Sequence, residues 1–168
     1  MQELQFEQAS AAQMDEVVAL FQDAIAVMDE NGIPQWDEIY PARSDLEEDL
    51  ARNTLYVGLL DGKIVVAYVL NQEYDEQYQN GCWQYPDKPF YVLHRLCVSP
   101  HVQRQGLGSR TIAHIEQQAR VLGAYTLRLD AFTQNPHAVA MYHKFGYQTV
   151  GFADFRKGEF YLMEKKLS

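Results

Sequence analysis

Cysteine is scarce in this chain. Only Cys82 and Cys97 occur in 168 residues, which gives no disulfide framework and no CxxC metal spacing, so a reducing, cytoplasmic setting is expected. Long apolar runs are missing as well: no stretch approaches the roughly 18 consecutive apolar residues of a membrane span. The start, MQELQFEQAS, has no basic segment followed by an apolar one, so no signal peptide is expected. Basic charge is in deficit, with 14 Lys and Arg against 23 Asp and Glu, a formal net charge of −9 and a pI near 4.9. A nucleic-acid backbone would be repelled by that balance, whereas a cationic amine is compatible with it. No HExxH is present, and His101, His114, His137 and His143 show no glutamate-paired spacing, so no metal is expected. Repeats and flexible linkers are lacking too. The length and the 47% hydrophobic composition suit a single domain over residues 1–168.

What is present reads as alternating strands and helices. Glu3 to Glu7 suits a short edge strand, and Ser10-Ala-Ala-Gln13 reads as a capping box opening a helix. Val17, Val18, Phe21, Ile25 and Met28 form the apolar face of that helix, and Asn31-Gly32 stops it. A loop with two prolines and two aromatics, Ile33 to Pro41, follows. A second capping box, Ser44-Asp-Leu-Glu47, then predicts a short helix to about Arg52. Thr54 to Leu60 and Lys63 to Leu70 are strand-like runs joined by Asp61-Gly62, a hairpin signal. Asn71 to Phe90 is polar, acidic and aromatic, and so long a connection suggests a lid, an oligomer contact or a decorated hairpin.

The chain is organised around Tyr91 to Leu122. An apolar strand passes Ser99-Pro100, enters Gln103-Arg104-Gln105-Gly106-Leu107-Gly108, and continues as a helix with Ile112, Ile115, Ala119 and Leu122 on one face. The first N–H groups of a helix lack internal partners and carry the positive end of its dipole, so a pyrophosphate meets aimed donors there. Gly106 and Gly108 allow close approach, and Arg104 and Arg110 flank the loop with charge. A P-loop is excluded because no Lys-Ser/Thr pair follows the glycines. A dinucleotide fingerprint fits poorly because Thr111 stands where its third small residue belongs. Downstream, Tyr125 to Asp130 alternates like a strand, and Asn135-Pro136 is a favoured helix start. Gly146 ends that helix, and two closing strands follow, Tyr147 to Ala153 and Glu159 to Leu167.

Val98-Ser99-Pro100 followed by Gln103-x-x-Gly106-x-Gly108 resembles the acyl-CoA pyrophosphate loop of the GNAT superfamily of N-acetyltransferases. Asn135-Pro136-His137-Ala138, continuing to Tyr142 and Gly146-Tyr147, resembles its second signature. The Pro-Gln-Trp-Asp and His-Arg-Leu stretches are similar to those of bacterial members, while Gln103 replaces an arginine common at the head of the loop. The resemblance implies an α/β (α+β) fold with a mixed, mostly antiparallel sheet of six or seven strands and about four helices. It also implies acetyl-CoA as cofactor and attack by a primary amine in a ternary complex.

Residue by residue, the resemblance assigns Leu96, Cys97, Val98, Gln103, Arg104, Gln105, Gly106, Leu107, Gly108, Ser109, Arg110 and Asn135 to the cofactor. Tyr142 is the expected acid for the leaving thiolate as well as a cofactor contact, since a phenol stays protonated at neutral pH. His94 stands where many members carry a glutamate and is the candidate base, with a hydrogen-bonded structural histidine as the alternative. Trp36, Tyr40 and Asp130 are candidate acceptor contacts, although Trp36 and Tyr40 could equally pin a loop and Asp130 cap one. Cys97 reads as a small buried hydrophobe rather than a nucleophile. The expected partner is a small-molecule amine, with no nucleic acid and no membrane, and a homodimer is left open. Two rival readings remain: a peptide N-acetyltransferase and a non-catalytic acyl-CoA sensor.

Overall fold

A computed structural model describes residues 3–102 and 105–167 of the chain. Seven strands, β1 (Leu4–Gln8), β2 (Leu55–Leu60), β3 (Lys63–Asn71), β4 (Phe90–Val98), β5 (Thr126–Phe132), β6 (Gln148–Phe155) and β7 (Gly158–Lys166), form one sheet in the order β1-β2-β3-β4-β5-β7-β6. Four α-helices accompany them: α1 (Met14–Glu30), α2 (Arg43–Ala51), α3 (Leu107–Val121) and α4 (Pro136–Lys144). The β4–β5 ladder is parallel, and those of β1–β2, β2–β3, β5–β7 and β6–β7 are antiparallel. The sheet is therefore mixed and mostly antiparallel, as the resemblance implies. The chain forms two compact units. One holds the chain up to Leu70 with Arg95–Thr111, and the other holds Asn71–His94 with the chain from Ile112 on.

The first unit is built on an apolar core. Val17, Leu20, Phe21 and Ala24 of α1 pack with Leu46 of α2 and with Leu55, Val57, Ile64, Ala67 and Val69 of the hairpin. The hairpin turn has φ of 51° at Asp61 and 77° at Gly62, the paired positive values of a type I′ turn that matches strand twist. At the entry to α1, Gln13 Oε1 accepts the Ser10 N–H at 2.9 Å, as the predicted capping box requires. The second box lies elsewhere. α2 begins at Arg43, its N-cap is Ala42, and Asp45 Oδ2 accepts the Ala42 N–H at 2.7 Å. Ser44 is already inside the helix, and Glu47 pairs instead with Arg43 at 2.8 Å. A carboxylate three residues past the cap reaches the orphan donor whatever side chain the cap carries.

The second unit carries most of the buried polar groups. Ile112, Ile115 and Ala119 of α3 are fully buried, whereas Leu122, expected on the same face, lies past the helix end and is exposed. Glu116 sits on that helix at 4% exposure and accepts from Lys165 Nζ at 2.8 and 3.0 Å and from the Tyr147 hydroxyl at 2.9 Å. The connection between β3 and β4 is packed down onto the unit. Trp83 and Phe90 place their rings 4.3 and 3.9 Å from the Arg128 guanidinium, while the Gln84 N–H donates to Glu164 at 2.8 Å. Cys82 N–H donates to Val150 O at 2.7 Å. Gly151 of β6 runs so close that a Cβ there would lie 2.8 Å from Asn80 O. Among the described residues, no helix is long and apolar enough to cross a membrane.

Candidate active site

The cofactor candidates of the first unit lie at the end of β4 and the start of α3. Gly106 has a φ of 62°, a left-handed conformation that favours glycine, and a Cβ built there would meet nothing within 4 Å. The first intrahelical bond is that of the Arg110 N–H to Gly106 O at 2.9 Å, so the N–H groups of Leu107, Gly108 and Ser109 precede the internal ladder. Arg110 also donates from Nη1 to Gln105 O at 3.3 Å, which holds its cation over the loop. Open space, early-turn donors and a guanidinium fit a pyrophosphate in chemistry. Gln103 and Arg104 lie outside the described residues. Cys97 is 2% exposed, donates weakly to Leu20 O at 3.9 Å, and has a thiol pushed well up by burial. It is packed as a small hydrophobe and is unsuited to nucleophilic attack.

Leu96 and Val98 flank Cys97, and β4 is irregular just before them. Arg95 has a φ of 49°, a strained value for a residue with a side chain. Its guanidinium grips Asp49 of α2 through Nε and Nη2 at 2.9 and 2.6 Å and donates from Nη1 to the Tyr40 hydroxyl at 2.7 Å. Burial pushes the Asp49 carboxyl up from its ordinary value, with the two guanidinium bonds opposing it. Tyr40 is thus held by its hydroxyl while part of its ring stays open. Trp36 is 9% exposed and packs on Phe21 at 5.3 Å, inside the apolar core. Of the two loop aromatics, only Tyr40 presents surface.

The other candidates, His94, Asp130, Asn135 and Tyr142, belong to the second unit. The β4–β5 ladder runs from Phe90 opposite Thr126 to Leu93 opposite Leu129. His94 and Asp130 are therefore the next residues on each strand. His94 Nε2 lies 2.9 Å from Asn71 Oδ1 and 3.0 Å from Glu73 O. Asn71 Oδ1 also accepts the Glu73 N–H at 2.9 Å, which settles it as the oxygen. Two acceptors around Nε2 place the proton there, so neutral His94 carries its lone pair on Nδ1.

Asp130 Oδ2 accepts the Tyr78 hydroxyl at 2.7 Å. Tyr142 is 7% exposed, its ring meets that of Tyr147 at 5.8 Å and 70°, and its hydroxyl is pushed well up by burial and then by the Asp130 charge. The Asn135 side chain accepts the Ala138 N–H at 3.3 Å and Pro136 opens α4, so the second signature sets the start of the helix that carries Tyr142. Sequence reasoning missed Tyr78, Asn71, Asp49 and Arg95. The signal for the first two was the length of the β3–β4 connection, which flags function without saying which residue bears it.

A family comparison decides what this arrangement belongs to. The model of the "Acetyltransferase (GNAT) family" matches residues 18–147. The chain belongs to the GNAT family of acetyltransferases. Members of this family draw on acetyl-CoA. Similar curated proteins include the spermine/spermidine N(1)-acetyltransferase of Bacillus subtilis, 33% identical over 90 residues that cover 52% of this chain and 53% of that protein. A "Probable spermine N(1)-acetyltransferase" of B. subtilis subsp. natto is 34% identical over the same shares. The chain spans about half the length of the curated relatives it matches.

Among solved structures, a GNAT-family acetyltransferase of Streptococcus agalactiae shares the fold at a TM-score of 0.87 and 22% identity, covering 97% of this chain and 95% of that one. An acetyltransferase structure from Salmonella typhimurium, solved with its cofactor acetyl-CoA, shares the fold at a TM-score of 0.69 and 14% identity, covering 98% of this chain and 94% of that one.

Proposed function

We propose that the protein transfers the acetyl group of acetyl-CoA to a primary amine of a small cationic molecule, of the polyamine class, by direct attack in a ternary complex. The observation that carries this reading is the grouping of His94, Asp130 and Tyr142 within one compact unit, with Asp130 held by Tyr78 and exerting its charge on Tyr142. The polyamine substrates named for the two B. subtilis relatives support the choice of acceptor.

When bound, acetyl-CoA supplies the acetyl group as an activated thioester. The open Gly106 turn, the first N–H groups of α3 and Arg110 would bind its pyrophosphate, and Leu96 to Val98 would bind the arm, with Cys97 as packing. The Val98 N–H would donate to the thioester carbonyl, whose oxygen gains charge on attack. An alkyl amine of pKa about 10.4 is neutral in only about one molecule in a few thousand at pH 7. His94 Nδ1 takes the proton that the attacking amine must lose, and the bonds at Nε2 fix the ring for that task. Asp130 holds a second cationic centre of the acceptor, which leaves the reacting amine free to lose its charge. Within the first unit, Trp36 supports the Ile33 to Pro41 loop from the core.

Tyr142 serves the leaving sulfur as a hydrogen-bond donor. Its proton is held above the ordinary phenol value of about 10, while a thiol of pKa about 8.5 is the weaker base, so outright transfer is uphill by at least about 2 kcal/mol. A bond that strengthens as negative charge builds on sulfur is what such a phenol gives. Thiol release from acetyl-CoA, measured against spermidine, amino acids, aminoglycosides and short peptides, tests the reading. Turnover with spermidine is expected to exceed that with every peptide, and turnover confined to peptides would overturn the acceptor assignment.

A further inference from the structure

The end of β3 and the connection to β4 touch two of the three polar residues of the proposed chemistry, His94 and Asp130, at two separate points. Asn71, the last residue of β3, and Glu73, just beyond it, supply the two oxygens around His94 Nε2, at 2.9 and 3.0 Å. The middle of the connection supplies the Tyr78 hydroxyl, 2.7 Å from Asp130 Oδ2. We propose that Asn71 and Tyr78 are positioning residues of the acceptor site, one fixing the tautomer and ring orientation of the base and the other fixing the carboxylate that anchors the amine. This rests on the reading above, in which His94 takes the proton and Asp130 holds the cation.

The hydroxyl of Tyr78 is not needed for packing. The side chain is 2% exposed, with its ring stacked on Tyr74 at 6.1 Å and on Trp83 at 5.6 Å. A phenylalanine would fill the same space and spare the desolvation of a phenol. What the phenol adds is a charge-assisted bond to a carboxylate, and burial together with the Asp130 charge keeps it a protonated donor well past neutral pH. One carboxylate oxygen is thereby committed, and the plane of the carboxyl group is set.

The frame behind this hydroxyl is stiff. Trp83 Nε1 donates to Tyr78 O at 2.8 Å, and the main chain of Cys82 and Gln84 is tied to Val150 and Glu164. Asn71 is fixed in the same way, because its Oδ1 takes the Glu73 N–H as well as His94. Reversing its amide would break both bonds. A connection anchored this firmly transmits its geometry to the two side chains it holds, which is how outer residues orient a reacting group.

The test uses the full chain, acetyl-CoA and spermidine, with kcat and KM read by thiol release. Tyr78→Phe keeps the ring and loses the bond. Its spermidine KM is expected to rise about tenfold, with kcat and the acetyl-CoA KM within about twofold of the parent. Asn71→Leu is expected to lower kcat about tenfold at an unchanged spermidine KM, and Asn71→Asp, which keeps an oxygen facing Nε2, to restore most of it. Variants that match the parent, or that disturb both substrates alike, overturn the proposal while leaving the acetyltransferase reading intact. A parent that turns over no amine removes both together. Should Tyr78→Phe fail to fold, nitrogen NMR of the parent reads the His94 tautomer directly. A proton on Nε2 is expected, and one on Nδ1 would overturn the proposal.

Discussion

The two compact units bury different things. The first encloses an apolar core of α1, α2 and the β2–β3 hairpin, and its one buried ion pair, among the described residues, joins Asp49 to Arg95. The second buries Thr126, Arg128, Glu116 and Glu164, with the rings of Trp83 and Phe90 against the Arg128 guanidinium, Lys165 and the Tyr147 hydroxyl on Glu116, and the Gln84 N–H on Glu164. Apolar burial is insensitive to orientation and suffices to hold a scaffold and a main-chain loop. Buried polar groups are costly unless partnered, and each partner that they find fixes an orientation.

Substitutions that respect this division should separate cofactor binding, folding and chemistry. The largest effect is expected at Gly106. Gly106→Trp fills the open space of the turn and strains a left-handed position, so CoA affinity by calorimetry should fall more than about a hundredfold, to the edge of detection. Unchanged affinity would remove the loop from cofactor binding.

Next comes the apolar unit. Trp36→Ala deletes a ring packed on Phe21 and is expected to cost about 3–5 kcal/mol of stability by denaturant titration. A loss below about 1 kcal/mol would mean that Trp36 is not a core residue, and a direct acceptor role would regain ground.

The smallest effect is one of pH. Tyr68, Tyr78, Tyr142 and Tyr147 all have hydroxyls pushed up by burial. In each case the folded value lies above the unfolded value of about 10, so their stabilisation is complete below pH 10 and is lost as pH rises through the folded values. Alkaline unfolding should therefore begin above about pH 10. Because three of the four lie in the second unit, Tyr78→Phe and Tyr142→Phe should each flatten that decline. A decline equally steep in both variants would contradict the assignment.

How far the sequence revealed these features followed the range of the forces involved. Turn and cap chemistry is local. The Asp61-Gly62 turn, the Asn135-Pro136 helix start and the Gly32 and Gly146 helix ends were all legible and are found where expected. The second capping box was misplaced by two residues because Ser44 and Glu47 match the Ser/Thr-x-x-Glu pattern, whereas the actual cap, Ala42, has no side-chain acceptor and is recognised only through the Asp45 carboxylate on its N–H. The family was legible because two motifs lie in order along the chain.

Tyr78 and Asp130 were not legible as a pair. Their contact spans 52 residues, and nothing in a buried tyrosine's neighbours announces which carboxylate it meets. Arg95 was hidden for a different reason. Its left-handed φ interrupts an apolar strand run that reads as regular, and it turns the side chain to Asp49 and Tyr40. The connection from Asn71 was recognised as unusual. Its role as a packed frame rather than a lid emerged only with the bonds that tie it to β5, β6 and β7.

The central claim is the proposed role of Tyr142, held in the second unit, as the hydrogen-bond donor to the leaving sulfur. The most direct test is single-turnover thiol release by Tyr142→Phe with saturating acetyl-CoA and spermidine, alongside acetyl-CoA affinity by calorimetry. The account predicts a rate lowered about a hundredfold or more at unchanged affinity. A rate equal to that of the parent would contradict it.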